Sequence, residues 1–205
     1  MRVALLGGTG SFGRALAARL AAAGEDVVVI GSRDAARARE AAAELGVEGA
    51  TNADAVRGAD LAVLAVNADA ALPTAGEIAA ALGKTPLLSV ASRLSFSKDG
   101  VRPDPDGRSI AERVADLVDA PVVAGLHTLA AANLAEEPPP EDALVCGDDP
   151  AAKELALELA GRVVDGRPLD AGPLASARAL EGLTAVIVNL NRRYRARVGI
   201  RVTGL

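Results

Sequence analysis

Aromatic side chains are nearly absent from this chain of 205 residues, which has no tryptophan, one tyrosine and two phenylalanines. Platforms that stack single-stranded bases need more rings than Phe12, Phe96 and Tyr194 supply, so that mode of nucleic-acid binding is excluded. A basic excess is missing as well: the formal net charge is −5, and the one basic run lies between Arg192 and Arg197. Without a positive stripe there is no electrostatic footprint for a phosphate backbone. Cysteine occurs once, at Cys146, which excludes an internal disulfide. No Cys or His lies near it at metal-ligand spacing, so a metal site is not expected. No apolar run is long enough to span a bilayer, and Met1 leads almost directly into a strand pattern with no room for a secretory leader. A cytoplasmic protein without nucleic-acid or membrane partners is expected.

What is present is concentrated at the start. Met1 to Leu6 (MRVALL) reads as a buried strand, Gly7 to Gly13 as a glycine turn, and Ala15 to Ala23 as the helix that follows. Gly8, Gly10 and Gly13 give the G-x-G-x-x-G spacing of a dinucleotide-binding turn, in the strand-turn-helix context that the motif requires. Glycine there allows a tight turn, close approach of a pyrophosphate and close packing of helix on strand, and the helix N-terminus offers free N–H groups to the anion. The second strand, Asp26 to Ile30, ends in Gly31-Ser32-Arg33 where an NAD enzyme would place a carboxylate for the ribose 2′-hydroxyl. A guanidinium and a hydroxyl suit a 2′-phosphate instead, and Arg37, four residues on, adds a second cation on the same helix face. NADP is therefore the expected dinucleotide. Without an anion between them, two cations at a helix N-terminus are disfavoured.

Strands and helices then alternate. Strands are predicted at Val47 to Thr51, Ala59 to Val66, Pro86 to Ala91 and Pro121 to Leu126, with helices at Asp34 to Leu45, near Asp54, and from Ala70 to Leu82. Ser109 and Glu112 form a capping box for a helix through Val118. The pattern is that of a doubly wound parallel α/β sheet of the Rossmann type, whose ligands lie beyond the carboxyl ends of the strands. Thr9, Ser32, Asn67 and Ser92 should share that edge. Ser92 to Arg108 is the longest irregular stretch and is expected to be a binding loop.

Beyond residue 127 the sequence predicts a small C-terminal α/β extension. It has a helix at Ala130 to Ala135, strands at Ala143 to Gly147 and Arg167 to Ala171, and a helix at Ala151 to Val164 opened by Asp149-Pro150. It ends in a long helix, Leu174 to Arg197, with an apolar stripe of Leu180, Leu183, Ile187, Leu190 and Tyr194. Such a stripe at the end of a chain points to a homodimer. His127 is the only histidine, placed at a strand tip on the ligand edge. It is the candidate for contacting the reacting end of the cofactor, and the alternative is a histidine that only caps the strand through backbone hydrogen bonds.

The chain resembles the NADP oxidoreductases that depend on the 8-hydroxy-5-deazaflavin coenzyme F420. The likeness is carried by MRVALLGGTG with Gly13, by Gly31 to Arg33, by His127-Thr128-Leu129, by Val145 to Asp149, by Leu169 to Leu174, and by Asn189 to Tyr194 with Gly199-Ile200. It implies hydride transfer between NADP(H) and the deazaflavin, with His127 as the catalytic residue. By the same likeness Thr9, Gly10, Ser11 and Phe12 would hold the pyrophosphate, with Gly7, Gly8 and Gly13 as further cofactor-binding residues of the turn, and Ser32, Arg33 and Arg37 would hold the 2′-phosphate. Val66, Asn67, Ala68, Leu72 and Ala131 would touch other parts of NADP, and Leu129 would join His127 beside the deazaflavin. Residues 1–127 would then be the NADP-binding domain, and residues 128–205 would form the deazaflavin side of the cleft and the dimer helix. Two alternatives remain from the residues themselves: an NADP-dependent reductase of another small substrate, and a non-catalytic NADP(H)-sensing module.

Overall fold

The computed structural model describes residues 1–24, 26–105 and 107–205. In chain order the first elements are β1 (Arg2–Leu6), α1 (Ser11–Ala23), β2 (Val27–Ser32), α2 (Ala35–Leu45), β3 (Glu48–Thr51), α3 (Asn52–Ala55), β4 (Leu61–Leu64), α4 (Ala68–Leu82) and β5 (Leu87–Ser89). Then come β6 (Leu94–Ser97), β7 (Gly100–Pro103), α5 (Ile110–Ala115), β8 (Val122–Gly125), α6 (Ala131–Leu134), β9 (Ala143–Gly147), α7 (Pro150–Val163), β10 (Pro168–Asp170) and α8 (Ala177–Tyr194).

Eight of these strands form one sheet in the order β10-β9-β8-β5-β4-β1-β2-β3. Because successive side chains of a strand face opposite ways, Val3 and Leu5 of β1 enter one core layer with Leu16, Ala38 and Leu159, while Ala4 and Leu6 enter the other with Ile78, Val114 and Leu180. Helices cover both faces, which is why β4 is fully buried and reads as a continuous apolar run. The doubly wound α/β sheet expected from the alternation is present. The chain reverses its winding between β1, which pairs with β2, and β4 on its other side. That switch point is where a crevice opens at the carboxyl ends of the strands.

Several expectations are corrected. α1 begins at Ser11 and not Ala15, because Gly10 takes the extended N-cap conformation and the chain enters the helix directly. Ser92 to Arg108 contains a two-stranded antiparallel hairpin, with Ser97 opposite Gly100 across a turn at Lys98 and Asp99, and not an irregular loop. Asp106, in that stretch, lies outside the described residues. The sheet is not parallel throughout: β9 runs antiparallel to β8, and β10 is parallel to β9. The carboxyl ends of β9 and β10 therefore lie on the edge opposite the crevice. The final helix opens with one 3-10 turn at Leu174–Ser176 and stops at Tyr194, where Arg195 takes φ 51 at its end. Its expected stripe is divided, since Leu180 and Ile187 are buried in the molecule's own core. The outward face carries Val186, Leu190 and Tyr194, one turn apart.

Candidate functional site

The crevice at the switch point is a groove of about 550 Å³. Its first end is built from backbone. Gly7 takes φ +77, and a Cβ there would lie 2.4 Å from the Val66 side chain, so the turn between β1 and α1 closes against the end of β4 only with glycine. Gly13 packs beneath the turn, where a Cβ would meet the Gly7 carbonyl and the Gly8 Cα at 2.8 Å. Among the described residues no side chain caps the start of α1, whose first residues, Ser11 and Phe12, line the groove, so its N-terminal N–H groups are available to an anion there. At the tip of β2 the Ser32 hydroxyl accepts from the Asp34 N–H, and Asp34 in turn caps α2 by accepting from Ala36 and Arg37. Arg33 and Arg37 are exposed and line the groove. Bare backbone, an open helix N-terminus and two cations together fit a phosphorylated dinucleotide.

The other end is lined by neutral side chains, with Leu126, His127 and Leu129 buried and Ser92 and Thr184 half-buried. β8 delivers His127 through Leu126, which is buried and holds φ 62, a left-handed conformation costly for leucine. Such strain persists only where the surroundings enforce it, and here it aims the residue that follows. His127 is 6 % exposed, and burial pushes its imidazole down to about 4, opposed by the Val90 carbonyl, so the ring is neutral at physiological pH. Its Nδ1 lies 3.2 Å from the Ser92 hydroxyl, which lies 2.9 Å from the Thr184 hydroxyl of α8. Thr184 donates to the His127 carbonyl at 2.8 Å. Nε2 is buried and without a hydrogen-bond partner among the described residues.

Most of the residues singled out from the sequence meet here. Gly7, Thr9, Gly10, Ser11, Phe12, Ser32, Arg33, Arg37, Val66, Asn67, Ala68, His127, Leu129 and Ala131 all line the groove. Gly8 and Gly13 lie behind the turn, and Leu72 is packed against the core layer under α4 without lining it. Sequence reasoning passed over Asn52 and Thr74, both buried and lining the groove, together with Leu94 of the hairpin and Thr184. Asn52 could have been found from its place just after β3, next to the tip of β2. Nothing local marks Thr184, whose place depends on how α8 crosses the sheet. Among the described residues no cluster of His, Cys, Asp or Glu could hold a metal ion, and no helix is long and apolar enough to cross a membrane.

A doubly wound sheet with a glycine turn, paired arginines and a buried neutral imidazole along one groove fits the class of dinucleotide-dependent oxidoreductase domains. Comparison with known proteins narrows the class. The family described as NADP oxidoreductase, coenzyme F420-dependent, matches residues 2–93. F420-dependent NADP reductases of Methanothermobacter marburgensis and Methanothermobacter thermautotrophicus are each 38% identical, spanning 100% of this chain and 99% and 96% of their own lengths. A solved structure of a provisionally named F420-dependent NADP-reductase from Arthrobacter sp. FB24 superposes with a TM-score of 0.84 at 26% identity, covering 98% of this chain and 99% of its own. The chain belongs to the coenzyme F420-dependent NADP oxidoreductase family.

Proposed function

We propose that this protein transfers a hydride between NADP(H) and the deazaflavin coenzyme F420. The observation that carries the reading is a single groove running from two exposed arginines to a buried neutral imidazole, in a chain that matches F420-dependent NADP reductases from end to end. NADPH gives up a hydride, and with one proton from solvent it reduces the deazaflavin; the reverse reaction uses the same balance. The two cofactors bring the reacting carbons, so the chain's task is to hold two planar rings in contact and keep water out. A reacting end without an ionised side chain suits that task. Gly7, Thr9, Gly10, Ser11 and Phe12 hold the pyrophosphate, with Gly8 and Gly13 shaping their turn. Ser32, Arg33 and Arg37 take the 2′-phosphate, and Val66, Asn67, Ala68 and Ala131 flank the remainder of the nucleotide. His127 and Leu129 stand beside the deazaflavin. Residues 1–127 thus bind NADP, while residues 128–205 close the deazaflavin side.

The same reading makes the protein a cytoplasmic homodimer. Val186 at 50% exposure and Tyr194 at 69% form an outer stripe on α8, with Phe96 of the packed hairpin at 69%. An apolar face of this kind on a small enzyme is usually covered by a second copy. Sedimentation of a monomer at micromolar concentration would remove the dimer. The activity is tested by mixing purified protein, NADPH and the deazaflavin and following both absorbances: coupled loss is expected. NADPH oxidation with other acceptors but not the deazaflavin would make the protein a different reductase, and tight NADPH binding with no turnover a sensor.

A further inference from the structure

The hydroxyls around His127 have one proton each, and the geometry dictates where each goes. A carbonyl can only accept, so the Thr184 hydroxyl, 2.8 Å from the His127 carbonyl, spends its proton there. What Thr184 then offers Ser92, 2.9 Å away, is a lone pair, and Ser92 donates to it. The Ser92 oxygen has no proton left for His127 Nδ1 at 3.2 Å, so Nδ1 carries the hydrogen and Ser92 accepts it. In a neutral imidazole the second nitrogen is then a bare acceptor. That nitrogen, Nε2, is buried and lacks a partner among the described residues, in a side chain that lines the groove. The opposite allocation would have Ser92 donate to Nδ1 and Thr184 donate to Ser92, and would leave the His127 carbonyl without Thr184. An unmet acceptor in a buried place is a standing cost that a bound donor removes.

We propose that Ser92 and Thr184 are positioning residues that lock His127 as the Nδ1–H tautomer, so that its Nε2 accepts a hydrogen bond from an N–H or O–H of the ring bound in the groove. The identity of that ring rests on the hydride-transfer reading; the tautomer rests on the Ser92–Thr184 hydrogen bonds, with the Val90 carbonyl beside the imidazole as a further acceptor. The relay joins three elements distant in sequence: the loop after β5, the end of β8 and the middle of α8. Ser92 and Thr184 are 92 residues apart. The final helix thereby sets which nitrogen of the imidazole faces the ligand.

His127 is the only histidine, so a long-range proton–nitrogen NMR spectrum of protein labelled at histidine shows a single imidazole. The wild-type protein, free of cofactor, should show Nδ1 protonated and Nε2 as the bare nitrogen. Thr184→Val keeps the shape but frees the Ser92 proton to point at Nδ1, and the spectrum should move toward the Nε2–H form; Thr184→Ser should restore it. In single-turnover assays Thr184→Val should slow hydride transfer roughly ten- to a hundredfold by misplacing the acceptor ring, with NADPH affinity unchanged and recovery in Thr184→Ser. A wild-type protein in the Nε2–H form, a Thr184→Val spectrum like the wild type, or a moved tautomer with an unaltered rate would each overturn the proposal. The expected tautomer in a protein that never reduces the deazaflavin would leave the lock standing and refute the hydride-transfer reading instead.

Discussion

The two ends of the groove solve opposite problems. The arginine end is made of the glycine turn and of exposed charge at Arg33 and Arg37, and on the proposed reading it recognises a ligand by its negative charge. The imidazole end is assembled from Val90 to Ser92, Leu94, residues 126 to 129 and Thr184; His127 is buried there beside the half-buried Ser92 and Thr184, and the three are joined by neutral hydrogen bonds. On the proposed reading, affinity is concentrated at one end and geometry at the other. Damage at either should have a distinct signature.

The sharpest test of that separation is His127→Ala. If the imidazole acts by placing the ring, hydride transfer should fall about a hundredfold, because errors near 1 Å in a near-attack geometry cost that much. NADPH affinity should hold, and between about pH 5 and about pH 9 the residual activity should keep the wild-type profile, since a ring held near 4 handles no proton in that range. A titration with a pKa of about 6.5 that vanishes in the variant would make His127 an acid or base and dissolve the comparison. At the other end, Arg33→Ala should weaken NADPH by roughly ten- to a hundredfold through loss of a charge-assisted contact, leave NADH nearly unchanged, and spare the rate at saturation. Equal weakening of both nucleotides would mean that the 2′-phosphate lies elsewhere.

Smaller effects probe what supports each end. In Gly13→Ala the new methyl group meets backbone at 2.8 Å, atoms that cannot swing away, so denaturant unfolding should show a loss of about 1–3 kcal/mol. A neutral result would show that the turn can open. The smallest effect concerns Glu181 on α8, which is 7% exposed and accepts from the Ile110 N–H at 2.7 Å at the start of α5. Burial outweighs those bonds and raises its carboxyl to about 7. The folded protein then holds a proton that the unfolded chain releases above about 4.5, so this group's stabilisation is present below that pH and is lost as pH rises through 7. His127 has the reverse sign: its depressed value costs stability as pH falls from 6.5 toward 4. Melting temperatures across that window should show Glu181→Gln removing the decline on the neutral side and keeping the one on the acid side. A variant that parallels the wild type would mean that Glu181 titrates as an ordinary carboxyl.

The two ends also differed in how far the sequence revealed them. The phosphate end was legible because strand, glycine turn, helix and Arg33 are contiguous, and each follows from local backbone chemistry. The hairpin at Leu94–Pro103 was obscured by its density of Asp, Pro and Gly, although Leu94, Phe96 and Val101 alternate with polar residues as strand positions do. Thr184 and the reversal of β9 are products of tertiary packing that no local pattern encodes. The reversal has a lesson for the motifs behind the resemblance. Asp148 accepts from the Leu174 N–H and Asp170 pairs with Lys153, so Val145 to Asp149 and Leu169 to Leu174 tie together the edge away from the groove. Two of the motifs that carry the resemblance thus hold the fold together away from the groove.

Asn189 ties the hairpin to α8. Asn189 accepts from the Val101 N–H at 2.8 Å and donates to the Val101 carbonyl at 2.7 Å, giving β7 the pair of bonds that a neighbouring strand would give. In the language of hydrogen exchange, the Val101 amide is a clock for one event: its proton is released to deuterium only when the hairpin lifts from the helix. Because Leu94 at the base of that hairpin lines the groove and Thr184 lies on that helix, the rate of this single amide reports on opening at the imidazole end of the groove.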